Sequence, residues 1–127
     1  MEPIYLFQLA AQQSQWLSAR QATVAENTAN ANTPGYKAKD ITPFAEVLDH
    51  TGSVNLVTTN PRHISLGPED AADPASTNQT PWDVTLSGNS VSLEQEMIKS
   101  SDINSAYSLN TSIVEAFDSM LMSTVKG

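Results

Sequence analysis

The sequence contains no cysteine, which excludes disulfides, thiol catalysis and thiolate metal sites. Bases are scarce as well: six Lys and Arg stand against fourteen Asp and Glu, for a net charge of −8. Nucleic acids and anionic membrane surfaces select for clustered Lys and Arg, so neither is expected as a partner. There are only two histidines, His50 and His63, and neither has a partner at metal-ligand spacing. With 2 Trp, 3 Tyr and 3 Phe, and 39% hydrophobic residues in a chain of 127, one modest core is expected. Its margin over the entropy of ordering the chain is thin. No run approaches the roughly 20 apolar residues of a membrane-spanning helix. The segment MEPIYLFQLAAQQ has an acidic residue where a secretory signal has bases, so any export is expected without a conventional cleaved signal.

Catalytic motifs are lacking too. There is no Gly-rich phosphate loop and no G-x-S-x-G. Ser123, Thr124, Val125 and Lys126 satisfy S-x-x-K by letters alone, without companion motifs. Glu69, Asp70 and Asp73 fall outside an EF-hand pattern and read as a solvated acidic stretch. No catalytic, cofactor-binding or metal-binding residue is assigned, and no small-molecule substrate or enzymatic activity is expected.

What the chain does contain is two long segments free of helix breakers. Residues 4 to about 31 have no Gly or Pro and are rich in Ala and Gln, as a helix allows. Phe7, Ala10, Ala11, Ser14, Leu17, Ser18, Gln21, Val24, Ala25 and Thr28 fall on one stripe. The stripe is small and half polar, so this helix needs a partner. In the C-terminal segment Ser92 and Gln95 have capping-box spacing, with Glu94 and Glu96 in the first turn. Ile103, Ala106, Tyr107, Asn110, Ile113, Val114, Phe117, Met120, Leu121 and Thr124 then repeat at heptad positions. Such length and spacing predict a coiled coil. The Ile103–Leu121 stripe serves an intramolecular core, an interface between subunits, or both. Asn110 at a core position either sets the register between helices or lies at the edge of the stripe in water.

Between the helices the material changes. Six of the seven prolines lie between residues 34 and 81. SVNLVTTNPRHISLG reads as two short strands, Val54 to Thr58 and His63 to Leu66, around an Asn60-Pro61 turn. Residues 67–81 have no large apolar side chain and read as a flexible acidic linker. Trp82, Val84 and Leu86 alternate with polar residues, as a short strand or an anchor would. The expected fold is mainly α, with long N- and C-terminal helices packed as a coiled coil around an irregular Pro-rich middle containing short strands. The divisions are an N-terminal helix over 1–33, a middle segment over 34–90 and a C-terminal helix over 91–127.

The stretch NTANANTPGYK, from residue 27, is the sharpest local signal. Pro34-Gly35 suits the two central positions of a type II turn. Thr33 precedes proline and is pushed out of the helical region, ending the first helix near Ala31 or Asn32. Asn27 and Asn30 lie on one face of the last turn, where their amides reach free carbonyls or a neighbouring helix. Taken alone, the motif reads equally as a helix stop.

The stretch also resembles the N-terminal signature of bacterial flagellar axial proteins, the rod and hook family. Asn27, Ala29, Asn30, Thr33, Pro34, Gly35 and Tyr36 carry the match, while Thr28 stands where that family has an aliphatic residue. LSGNSVSLEQEMIKSSDINSAYSLN is similar to the turn and C-terminal helix of the proximal rod proteins, with Ser87 in place of the usual Asp. TTNPRHISLG resembles their short middle segment. The chain has no room for the large β domains of hook and distal rod proteins, so the short proximal rod proteins are the best match. The resemblance implies a structural subunit of the basal-body rod, needed for motility. Such subunits are exported uncleaved by the flagellar type III apparatus and assemble helically through their terminal helices to link the membrane ring to the distal rod. It implies self, other rod subunits, the ring adaptor and the export apparatus as partners. It also implies an assembly role for the Asn27–Tyr36 motif, and a helix interface of Phe7, Leu17, Val24, Ile103, Tyr107, Asn110, Ile113, Val114, Phe117, Met120 and Leu121. A soluble helical type III export chaperone or adaptor is the alternative of a different class. It would be a folded dimer, where a lone rod subunit is partly disordered.

Overall fold

A computed structural model of the chain describes residues 3–51 and 76–127. Two helices dominate it: α1, Pro3–Ala29, and α3, Leu93–Lys126. At about 1.5 Å per residue they run roughly 40 and 50 Å. They lie antiparallel. Asn27 meets Glu96 at one end, Asn110 meets Ala10 and Ser14 further along, and Phe7 meets Phe117 edge-on, with ring centroids 5.6 Å apart, near the other end.

Few residues form the centre of the packing. Leu17, Val24 and Ile103 are buried together, with Trp16 and Ala106 against them, and each large aliphatic side chain contributes roughly 1.5–3 kcal/mol on burial. Ala10, Ala38 and Ile41 are buried as well. Ser92 caps α3 in an extended conformation, its hydroxyl accepting from the Gln95 amide. Gln95 does not complete a reciprocal box with Ser92; its side-chain amide donates to the Thr80 carbonyl. The Glu94 carboxyl is held below its usual range by its own backbone N–H and by the Ser92 hydroxyl.

The described part of the middle segment holds more regular structure than its sequence suggests. β1, Lys39–Ile41, pairs antiparallel with β2, Ser76–Asn78, so that Asp40 faces Thr77. Residues 76–78 thus form a strand inside the stretch read as linker. A short helix, α2, Phe44–Thr51, follows β1. The Pro43 carbonyl accepts from the Glu46 and Val47 amides to open it, and proline suits a helix start, where an N–H has no partner anyway. Phe44 tilts against Trp16, and the Trp16 indole donates to the Thr42 carbonyl at 2.8 Å. Trp82, Val84 and Leu86 do not form a strand; they are exposed in irregular chain. Residues 54–58, 63–66 and 67–75, with His63, Glu69, Asp70 and Asp73, lie outside the described residues. Among the described residues, no helix is long and apolar enough to cross a membrane.

Candidate assembly site

α1 ends at Ala29, slightly earlier than the proline alone indicates, and the chain leaves it through consecutive turns. Asn30 organises this exit. Its amide nitrogen donates to the Glu26 carbonyl at 2.9 Å, and its Oδ1 accepts from the Thr33 hydroxyl at 3.1 Å. Thr33 to Tyr36 then form the turn, closed by the Tyr36 amide on the Thr33 carbonyl, with Gly35 at φ 73°. A positive φ at the third residue is the type II requirement that glycine meets without strain.

A second turn docks against the first. Gly88 has φ 80°, and a Cβ built on it would lie 3.6 Å from the Gly35 Cα. The Gly35 amide donates to the Ser87 carbonyl at 2.9 Å, and the Ser90 amide to the Tyr36 carbonyl at 3.0 Å. Asn89 is buried and joins the two turns. Its amide nitrogen donates to the Asn30 and Thr33 carbonyls, at 2.8 and 2.7 Å, while its Oδ1 accepts from the Val91 amide. Asn89 thus adds a second donor to two carbonyls of the turns that follow α1, each of which already accepts a backbone amide. The Ser90 hydroxyl accepts from the Ala38 amide at 2.8 Å. The N-terminal motif and the LSGNSVS segment are two halves of one junction.

Asn27 ties that junction to the sheet and to α3. It is wholly buried. Its nitrogen donates to the Lys39 carbonyl at 2.7 Å and to Glu96 Oε2 at 3.2 Å, and its Oδ1 accepts from the Lys39 amide at 2.9 Å. One side chain thus pairs with both backbone groups of Lys39, as a residue of a neighbouring strand would. The Tyr36 hydroxyl donates more distantly to Asn27 Oδ1 and to Glu26. Burial, followed by the charge of Glu26, pushes the Tyr36 hydroxyl up. On the surface, Lys39 and Glu26 pair at 2.8 Å. That hydrogen bond and the opposite charge hold Glu26 below and Lys39 above their usual ranges.

Beside Asn27 runs a row of charges, buried at Glu96 and Lys99 and half-buried at Asp40 and Arg20. Lys99 of α3 reaches Asp40 of β1 at 3.0 Å, lies 3.6 Å from Glu96 and donates to the Gln79 side chain. Arg20 of α1 pairs with the same Asp40 at 3.3 Å. Burial pushes the Asp40 carboxyl up, but donors from Lys99, the Ile41 amide and Arg20 together outweigh it and hold the group below its usual range. Sequence reasoning identifies Glu96 only as a first-turn acid and misses Lys99, Asn89 and Asp40. The spacing held the signal: Glu96 and Lys99 extend the run Ile103, Ala106, Asn110 back toward the cap by steps of four and three. Their charge conceals them in a search for apolar positions.

The predicted helix interface divides. Leu17, Val24, Ile103 and Asn110 are buried, and Phe7, Val114, Phe117 and Leu121 are half-buried. Tyr107, Ile113 and Met120 are exposed and do not join the intramolecular seam, because α1 covers only one face of α3. Within the motif Asn27 alone is buried; Asn30 and Tyr36 are half-buried, and Ala29, Thr33, Pro34 and Gly35 are exposed. Of the two readings of Asn110, the structure favours register: its amide donates to the Ala10 carbonyl at 2.9 Å and to the Ser14 hydroxyl at 2.8 Å.

Residues 9–37, which include the Asn-rich helix end and its turn, match the family model described as flagella basal body rod protein. Over nearly the whole length the chain is similar to the flagellar basal body rod protein FlgB of Agrobacterium fabrum, 44% identical across 99% of this chain and 96% of the relative. The chain belongs to the FlgB family of flagellar basal body rod proteins. The FlgB proteins of Cereibacter sphaeroides, 32% identical over 85% of the chain and 84% of the relative, and of Escherichia coli, 35% identical over 73% and 72%, agree. The resemblance in sequence puts FlgB ahead of the other short proximal type, FlgC, and these relatives are all of the FlgB type. As a FlgB-family member the chain is a structural subunit of the basal-body rod, works with other rod components in motility and is not an enzyme. The export-chaperone alternative is not favoured by these relatives.

Proposed function

We propose that this subunit occupies the proximal rod and assembles helically through its two long helices, linking the membrane ring to the distal rod. The observation that carries this reading is the uncovered face of α3. Leu109, Ile113 and Met120 remain exposed in a row along one flank of a helix whose seam is closed by α1, and Tyr107 and Met122 are exposed on the other flank. A row of large apolar side chains of this kind marks an interaction surface, and neighbouring rod subunits are its fitting occupants. The Asn27–Tyr36 motif serves as the junction that fixes the end of α1 against the turn leading into α3. The export apparatus and the ring adaptor are further partners under this reading, and export proceeds without a cleaved signal.

Gly35 provides the test. No atom lies within 4 Å of a Cβ built on it, so a substitution acts through backbone strain and not through a clash. Valine is β-branched and fits the left-handed region poorly, at a cost of roughly 1–2 kcal/mol or more. Gly35→Val should leave the cellular level of the chain near normal while lowering its incorporation into basal bodies and impairing swimming. Full motility in that variant would remove the assigned role of the turn.

A further inference from the structure

We infer that successive copies of this chain dock head to tail, with Leu86 of one copy seated in the groove between α1 and α3 of the next; this rests on the rod reading above. Leu86 is fully exposed at the tip of the second turn, with Trp82 and Val84 exposed beside it. That turn is held in place. The Thr85 amide donates to the Asn89 carbonyl and the Gly88 amide to the Thr85 carbonyl, the Thr85 and Ser87 hydroxyls bond each other, and the Ser87 carbonyl accepts from Gly35. An apolar side chain presented on a pre-ordered turn loses little freedom on binding, as an interface anchor should.

The complementary surface lies at the other end of the same helix pair. A groove of about 320 Å³ is lined by Phe7, Ala10, Ala11 and Val114, with Asn110 and Glu115 as polar neighbours. It is mostly apolar and open, with room for a leucine side chain. Charge agrees with hydropathy. The exposed ammonium of Lys37 donates to the Gly88 carbonyl beside Leu86, and Glu115 is exposed beside the groove. Docking Leu86 into the groove brings a cation to a carboxylate, which orients the contact. From the turn, held on Asn30, to Ala11 is about 30 Å along α1. The two surfaces therefore cannot meet within one chain. Between parallel copies, a knob at one end and its groove at the other make a heterologous contact, which propagates as a filament or ring, whereas an antiparallel pair would close after two copies.

The absence of cysteine makes the test clean. Ala11 and Ser87, the neighbour of Leu86, are both exposed, so A11C and S87C leave the core and the Leu86 anchor untouched. A disulfide needs Cα atoms within about 7 Å, so any bond in the A11C/S87C double variant joins two chains. Oxidation of basal bodies purified from cells making the double variant should give a ladder of dimers and higher multimers of this chain. Neither single variant should give the ladder. K37E or E115K placed in the double variant should lower the ladder several-fold, and both reversals together should restore it. Basal bodies that contain the chain but give no ladder overturn the docking and leave the rod reading standing. Dimers from S87C alone, dimers without higher multimers from the double variant, bonds to a different rod protein, or charge reversals that do not rescue each other overturn it as well. Absence of the wild-type chain from basal bodies would remove the rod reading itself, and the docking with it.

Discussion

Asn27 and Asn110 are both buried asparagines in the helix seam, yet replacing them is predicted to have different consequences. Asn27 supplies the partners for both backbone groups of Lys39 and one for Glu96. Asn27→Leu leaves those groups buried beside an apolar side chain, and each orphaned polar group costs about 1–3 kcal/mol. A loss of roughly 2–4 kcal/mol is expected, read as a fall in Tm by circular dichroism. The acceptors of Asn110 are better provided for. The Ala10 carbonyl lies inside α1, where helix geometry gives it an intrahelical donor, and the Ser14 hydroxyl can turn to a carbonyl of its own helix. Asn110→Leu should therefore leave Tm unchanged or raise it, while weakening the fixed register. At Gly35 the left-handed φ predicts a graded series: Gly35→Asn should cost less stability than Gly35→Ala, because asparagine tolerates that region, with denaturant midpoints as the check. At this scale the glycine and its turn were legible because proline and glycine restrict the backbone in known ways. Glu96 and Lys99 were not, because a charge at a seam position looks like a solvated one until its partners are known.

At the scale of elements, α1 and α3 were readable from their spacing and freedom from breakers, and Ser92 from its cap chemistry. Replacing Ser92 with Ala should cost about 1 kcal/mol, visible as a lower denaturant midpoint. The middle was legible only in part. β1 and β2 are three residues each, too short to show an alternating pattern, and they pair across all the chain between Ile41 and Ser76 while held by Asn27 of α1 and Lys99 of α3. α2 carried a start signal in Pro43 and Glu46, but its eight residues sit in a proline-rich context that argued against helix. One link between sheet and helices is electrostatic, and its pH dependence has a definite sign. The folded Asp40 carboxyl lies below its ordinary range, so its stabilising contribution is complete above that range and is lost as pH falls through the folded value. Thermal stability should decline as pH drops below about 4, and Asp40→Asn should flatten that part of the profile. An unchanged acid profile in the variant would contradict the role given to the Arg20–Asp40–Lys99 row.

At the scale of the whole molecule, a small core and a long exposed face belong together. Leu17, Val24 and Ile103 are few for helices of this length, and the apolar residues left uncovered on α3 are those a polymer would bury. The division of the heptad stripe into a buried centre and exposed flanks was not legible in the sequence, because all its positions share one spacing and only the position of α1 separates them. The central claim is that the chain is a permanent part of the rod. The measurement that tests it most directly is an immunoblot for this chain in detergent-purified basal bodies stripped of loosely bound protein. The account predicts a band at a stable ratio to the ring proteins. Absence from basal bodies, with the chain recovered as a soluble folded dimer, would contradict it.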